Sequence, residues 1–418
     1  MNNNTRNPFN LIVLVSALGY FVDLFDLQLF NLVSKESLKG IGITDPKLID
    51  LYDYQLFLWQ MGGMLVGGIL WGVLGDKRGR KSVLFGSILL YSLANIANAF
   101  VWNVEQYAFM RFITGLGLAG ELGAAVTLVS ETMHKESRGW GTMLVAVGGA
   151  LGAVLASSFV GQNLSIGSFA NWQVAYLIGG VLGLILLSLR VGTIESGLYQ
   201  SMDKNDGIKR GDFLMIFTDK KRFSKYFLCL AIGIPIWCGV AILMKFSVKF
   251  SSPDVLNIVG GPALITKAVM FTYLGFSFGD LLSGAMSQLL KSRKKVLYLY
   301  LICCAIFYYL FLVSKGISIN LYYFYFFLLG VTSGYWTIFV TMAAEQFGTN
   351  LRATVATTTP NIVRGSVVPI VLLFKYLEPL YGTINAAYML GVISFIPAFI
   401  GVYFIKETFN KDLNYHEQ

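Results

Sequence analysis

Five ionisable residues stand where a charge is hardest to keep. Asp23, Asp26, Arg111, Glu121 and Arg364 all fall inside long apolar runs. If those runs are membrane helices, each charge costs about 2.5–3.5 kcal/mol even on a lenient insertion scale, so each needs a reason. Asp23 and Asp26 are three apart, which puts them on one helix face. A carboxyl group there suits a proton carrier. Asp26 is the stronger candidate, followed by Asp23 and Glu121; the competing role for each is a static buried ion pair. Arg111 and Glu121 are ten residues apart, too far along one helix to pair. Arg111 can instead reach Asp23 or Asp26. Carboxylate plus arginine is a switch: protonating the acid frees the guanidinium, or a ligand competes for it. Arg364 stands in TPNIVRGSVVP between Pro360 and Pro369, with no acid near it on its own helix. Such an arginine is a candidate clamp for a carboxylate or phosphate, with Asp280 the competing partner. Trp59, Gln60 and Trp336 are candidate polar-aromatic ligand contacts.

These residues need a scaffold, and composition names its class. Of 418 residues, 55% are hydrophobic and 13% charged, with mean hydropathy +0.63. A soluble chain carries about 25% charged residues. Apolar runs of about 18 residues or more recur from end to end, and in lipid such runs must be helices. A β-barrel needs short alternating segments, which are absent here. The net charge of +9 resides in short loops between runs, not on a basic face with aromatic platforms, so nucleic acid is not an expected partner. Cys229, Cys238, Cys303 and Cys304 all lie in apolar runs and read as small hydrophobes. His134 and His416 lie in a loop and the tail, so no metal site is expected. No catalytic constellation appears within the spans, which excludes an intramembrane hydrolase. The polar start MNNNTRNPFN and the long first run do not read as a cleavable signal.

Twelve spans are expected: 9–33, 53–75, 82–101, 105–130, 139–162, 171–191, 226–247, 262–290, 295–314, 320–344, 354–376 and 381–405. That is an N-terminal six-helix bundle (1–191), a polar linker (192–225), a C-terminal bundle (226–405) and a tail (406–418). Placing both termini in the cytoplasm puts roughly two thirds of the 32 basic residues inside, as the positive-inside rule requires. The halves repeat. Gly67–Leu84, GGILWGVLGDKRGRKSVL, is echoed by Gly279–Leu297, with Gln288 where Asp76 would stand. Glu131–Arg138 (ETMHKESR) recurs as Glu345–Arg352 (EQFGTNLR), about 210 residues later. Repeated six-helix halves point to a two-bundle architecture.

On these motifs the chain resembles the major facilitator superfamily along its full length. GGILWGVLGDKRGRK is similar to that superfamily's loop between helices two and three. RFITGLGLAGELG from Arg111 to Gly123, the two Glu–Arg pairs, Asp23-Leu-Phe-Asp26, and Glu195-Ser196-Gly197 (Gly where Pro is usual) resemble its sugar-porter and metabolite:proton symporter branches. The resemblance implies an all-α polytopic fold with two pseudo-symmetric bundles and alternating access about a central site, usually driven by protons. It implies a gate on the cytoplasmic side: Asp76 near the start of helix eleven, Arg80 reaching Glu131, Arg138 joining them, and Glu345 with Arg352 as the echo. Expected, then, is a monomeric, multi-pass inner-membrane transporter with no cofactor beyond a proton gradient. Symport of a small anionic metabolite is favoured. The alternatives are a proton-antiport exporter, or uptake of a neutral sugar or amino acid.

Overall fold

The structure is a computed structural model, and it describes residues 11–134, 137–160, 162, 166–190 and 211–417. Twelve helical spans account for most of these: α1 (Leu11–Gly40), α2 (Pro46–Arg78), α3 (Arg80–Asn98), α4 (Val104–Thr132), α5 (Arg138–Val160), α6 (Asn171–Leu189), α7 (Lys220–Met244), α8 (Ile265–Leu289), α9 (Arg293–Val313), α10 (Ile319–Gln346), α11 (Arg352–Tyr381) and α12 (Thr383–Phe404). All twelve expected spans are present. Ten of these helices are long and apolar enough to cross a membrane by composition alone. The two that fall short, α3 and α8, carry Arg80 and Lys81 or, scattered along the helix, Lys267, Asp280 and several serines. Glu195-Ser196-Gly197 and most of the expected linker lie outside the described residues.

The helices are longer than the apolar runs where polar caps extend them. Asp45 accepts from the Lys47 N–H (2.8 Å), with Pro46 behind it, so α2 starts before its apolar run does. Asp219 does the same for α7, and Ser292 and Ser318 for α9 and α10. Three spans break in the middle. α4 is interrupted after Leu118 and resumes at Glu121; α10 is interrupted after Ser333 and resumes at Trp336. These breaks occupy matching places in the two halves. α11 breaks between Gly365 and Val367. In α7, Pro235 is followed by a π-helical turn, Gly239–Met244, which widens the helix beside Trp237.

Packing repeats with the halves. Within the first bundle α1 packs on α5 and α6, α2 on α4, and α3 on α4 and α6; in the second, α7 packs on α11 and α12, α8 on α10, and α9 on α10 and α12. Two seams join the bundles, α2 against α11 and α5 against α8. Small residues set these approaches. A Cβ on Gly72 would lie 3.0 Å from the Cα of Thr354 on α11, and one on Gly284 would strike Met143 on α5. Of the glycines in the second half of α2, Gly68, Gly72 and Gly75 face the other bundle, whereas Gly67 faces α4.

Candidate functional site

At the centre, between the two bundles, is a cavity lined by residues of both, among them Tyr20, Trp237, Tyr273, Asp280, Trp336 and Arg364. Its free space is about 20 Å³ as seen by the centre of a water molecule, room for a water or two. Arg364 comes from just before the α11 break and is fully buried. Its guanidinium donates to the Tyr20 hydroxyl (2.9 Å) and lies 5.5 Å from the ring centroids of both Trp237 and Trp336. Trp336 Nε1 donates to the same Tyr20 oxygen (3.2 Å). Arg364 Nε and Nη1 have no hydrogen-bond partner among the described residues.

Asp280 is not the partner of Arg364. Its Oδ1 accepts from the Thr337 N–H (3.1 Å) and hydroxyl (2.8 Å), at the N-terminus of the second segment of α10. A carboxylate is favoured there by the helix dipole and by the free N–H groups that the break creates.

The aspartates of α1 face different neighbours, and neither forms an ion pair among the described residues. All four carboxyl oxygens of Asp23 and Asp26 are buried without a hydrogen-bond partner among the described residues. The arginine acting most on Asp23 is Arg364, and on Asp26 it is Arg111. Asp26 packs against Gly179 of α6, where any Cβ would strike Oδ1. The expected Arg111–aspartate contact is not closed: Arg111 lies over the rings of Phe30 (4.8 Å) and Tyr176 (5.5 Å). None of its nitrogens has a hydrogen-bond partner by distance and angle among the described residues. Glu121 has a partner that the sequence reading missed. Arg190, at the end of α6, grips it bidentately (2.9 and 2.5 Å) with both side chains fully buried. Lying at the end of an apolar run, Arg190 looked like a span boundary.

Two other expected contacts move. Trp59 is 53% exposed on the outer side of α2, edge-on to Phe112, and does not line the cavity. It lies one residue from Gln60, and one residue is about a hundred degrees of helix rotation. Gln60 is buried on the face that also carries Asp53 and Phe57, with neither amide atom partnered among the described residues. Trp336 lines the cavity as expected.

One end of the molecule is closed by a paired set of charges. Glu131 accepts from Arg80 of its own bundle (2.9 Å) and from Arg352 of the other (3.0 Å). Glu345 accepts from Arg293 of its own bundle (2.7 Å) and is paired with Arg138 of the other (2.9 Å). The expectation that Arg138 joins Arg80 at Glu131 is therefore corrected: Arg138 and Arg352 each cross to the opposite glutamate. Each cross-pair leaves a helix start and meets the end of a helix in the other bundle. Asp76 accepts from the N–H groups of Ala353 (3.1 Å) and Thr354 (2.8 Å) at the start of α11. Gln288 lies against Gly139 at the start of α5, the matching place.

The opposite end is bridged more lightly. Lys245, just past the end of α7, pairs with Asp53 of α2 (3.0 Å), which also accepts from Ser34. Gln28 donates to the Tyr273 hydroxyl (2.7 Å) across the same gap. Lys245 and Asp53 both lie at span ends, where a charge raises no question in a sequence.

Comparison with known proteins fits this geometry. The chain is 29% identical over 370 residues to the putative niacin/nicotinamide transporter NiaP of Bacillus subtilis (strain 168), covering 82% of each chain. It is 37% identical over 129 residues to the 3-(3-hydroxy-phenyl)propionate transporter of Escherichia coli (strain K12), covering 30% of each. Its fold superposes on the proton:xylose symporter XylE with a TM-score of 0.77 at 14% identity, covering 96% of this chain and 97% of that one. The model of the Major Facilitator Superfamily matches residues 16–359. With twelve helices in two related bundles, a central cavity and a charged closure, the chain belongs to the Major Facilitator Superfamily and is a multi-pass membrane transporter, not an enzyme.

Proposed function

We propose that this transporter imports a small aromatic carboxylate together with protons, across the inner membrane, with the charged closure on the cytoplasmic side. One observation carries the solute class: Arg364, buried between the faces of Trp237 and Trp336, with Nε and Nη1 unpaired. Unpaired guanidinium nitrogens suit a carboxylate, and flanking indoles suit a ring. The names of relatives transporting niacin and a hydroxyphenylpropionate support the same class. The present cavity is too small for a ring, so a shift of the bundles or of the indole rotamers accompanies binding. Asp26 and Asp23 carry the proton, because they are buried, unpaired and next to the two arginines. Glu121, tied to Arg190, is the weaker proton site. The orientation follows from the basic loops on the closure side. The transporter acts as a monomer and needs no cofactor beyond the proton gradient.

Uptake into proteoliposomes tests this with benzoate, nicotinate and glucose under an imposed inward proton gradient. Accumulation of the two carboxylates and not of glucose is expected. Glucose accumulation alone removes the role given to Arg364, and efflux driven by the same gradient replaces symport with export.

A further inference from the structure

A second, larger cavity lies on the closure face, away from the transport path. It measures about 790 Å³ and sits between the start of α7, the end of α12 and the C-terminal tail. Lys220, Lys221, Arg222, Lys225, Lys406 and Lys411 line it, against the carboxylates of Asp219 and Glu417. Both carboxylates are already committed. Asp219 accepts from the N–H groups of Lys221 and Arg222 (3.0 and 2.9 Å) at the start of α7, and Glu417 pairs with Lys225 (2.9 Å). Lys220, Lys221 and Lys406 are exposed and have no carboxylate partner among the described residues. The crowding of like charge shows on Lys411, whose ammonium is pushed down to about 8 by burial and then by Lys225 beside it. On the membrane side the lining turns apolar, with Leu228, Phe404 and Ile405. Phe223 and Phe227 stand exposed on the adjoining face of α7.

We propose that this cavity binds the phosphodiester headgroup of an anionic glycerophospholipid. Such a lipid presents a phosphate at the water side and acyl chains below it, and the cavity offers cations and apolar surface in the same order. α12 ends at Phe404, so the cavity lies at the level of the headgroups, where basic pockets between helices take anionic lipid. A free anion would need the cations but not the apolar mouth. The bound headgroup shares Lys225 with Glu417 and lies beside Lys411. That lysine donates to the Glu345 carbonyl (3.1 Å), and its own carbonyl accepts from Arg138 (2.9 Å). The lipid therefore touches the segment of tail that is fastened to the closure.

Native mass spectrometry of the full chain, purified from mixed phosphatidylglycerol and phosphatidylcholine, tests the site by counting retained lipids. The triple variant Lys220→Gln/Lys221→Gln/Lys406→Gln changes only exposed side chains. It is expected to retain at least tenfold less phosphatidylglycerol than the parent. The control Arg78→Gln/Lys291→Gln/Lys295→Gln removes three exposed charges from the same face outside the cavity, and a change under twofold is expected. Equal losses in the two triples, or none in the first, overturn the proposal. Displacement of the lipid by millimolar inorganic phosphate would make this a free-anion site and overturn the lipid assignment.

Discussion

The two bundles share a frame and differ in what fills it. α4 and α10 break at matching places, yet α4 resumes with Glu121 and α10 with Trp336. α1 carries Asp23 and Asp26 where α7 carries Trp237 and Val240 beside the cavity. Among the described residues, the first bundle therefore holds two carboxyl groups without hydrogen-bond partners and Arg111, while the second holds an arginine set between indoles and, in Asp280, a carboxylate tied to Thr337. At the closure the halves stay alike: each glutamate takes one arginine from its own bundle and one from the other. The duplication is kept where the bundles must grip one another and has diverged where they handle different cargo. On the proposed function, that difference would give the proton to the first bundle and the solute to the second.

The sharpest way to break this division is to separate binding from driving force. Arg364→Gln is expected to abolish both gradient-driven uptake and solute exchange, because removing a buried charge that meets a carboxylate costs about 2–5 kcal/mol, thirtyfold or more in affinity. Asp26→Asn is expected to lower gradient-driven accumulation at least tenfold while solute exchange continues. If the asparagine variant still accumulates solute against its gradient, Asp26 is not the proton site and the division fails. If it loses exchange as well, the first bundle also holds the solute.

The closure allows a finer comparison. Glu345→Gln leaves two buried arginines without their anion, a loss of about 3–5 kcal/mol from the closed form, whereas Glu131→Gln strips Arg352 of its anion while Arg80 keeps Asp76 (3.3 Å). Electron-spin distances between labels on the exposed Arg78 and Lys295 read the opening directly, and widening is expected from both variants, the larger from Glu345→Gln. Asp76→Asn is expected to widen the distance less, since one of the N–H groups of Ala353 and Thr354 can still donate to the amide oxygen. Widening with Glu131→Gln alone would make the closure one-sided. Gly179→Ala tests the interior: its methyl group would strike the Asp26 carboxyl, and overpacking of this kind costs about 1–3 kcal/mol. A thermal-unfolding scan should show that loss, with exchange impaired alongside.

Much of this was legible in the sequence, for reasons that also mark the limits. Span number and order followed from apolar length, because lipid leaves the backbone no alternative to the helix. The closure residues followed from the repeat, but their pairing did not. Glu131 and Arg138 are neighbours in sequence, yet one ends α4 and the other starts α5, and Arg138 points across the seam to Glu345. Arg190, Lys245 and Arg293 were unremarkable as charges at the ends of apolar runs, and only packing revealed Glu121, Asp53 and Glu345 as their partners. Trp59 misled because composition records an aromatic residue but not which way it faces.

The smallest expected effect concerns the tail, which fastens the second bundle's side of the closure. Glu407 accepts from Ser292 Oγ (2.5 Å) and from the N–H groups of Arg293 (3.0 Å) and Lys294 (3.1 Å), at the start of α9 beside the arginine that holds Glu345. Burial raises the affinity of this carboxyl for its proton, but the hydrogen bonds from Ser292, Phe409, Arg293 and Lys294 outweigh it and hold it below the usual glutamate range. The sign follows: the anchor is at full strength above the ordinary glutamate range and is lost as pH falls through the lowered value. Hydrogen exchange of the 408–415 amides should therefore be level from neutral pH down to the ordinary glutamate range, after correction for intrinsic rates, and rise below it. Glu407→Gln should remove that pH dependence and raise exchange at neutral pH by a few-fold. Because Glu407 caps α9 and not α3, the rise should be confined to the tail and the start of α9. A matching rise at the start of α3 would mean that acid loosens the whole closure, and that the tail reports on it without fastening it.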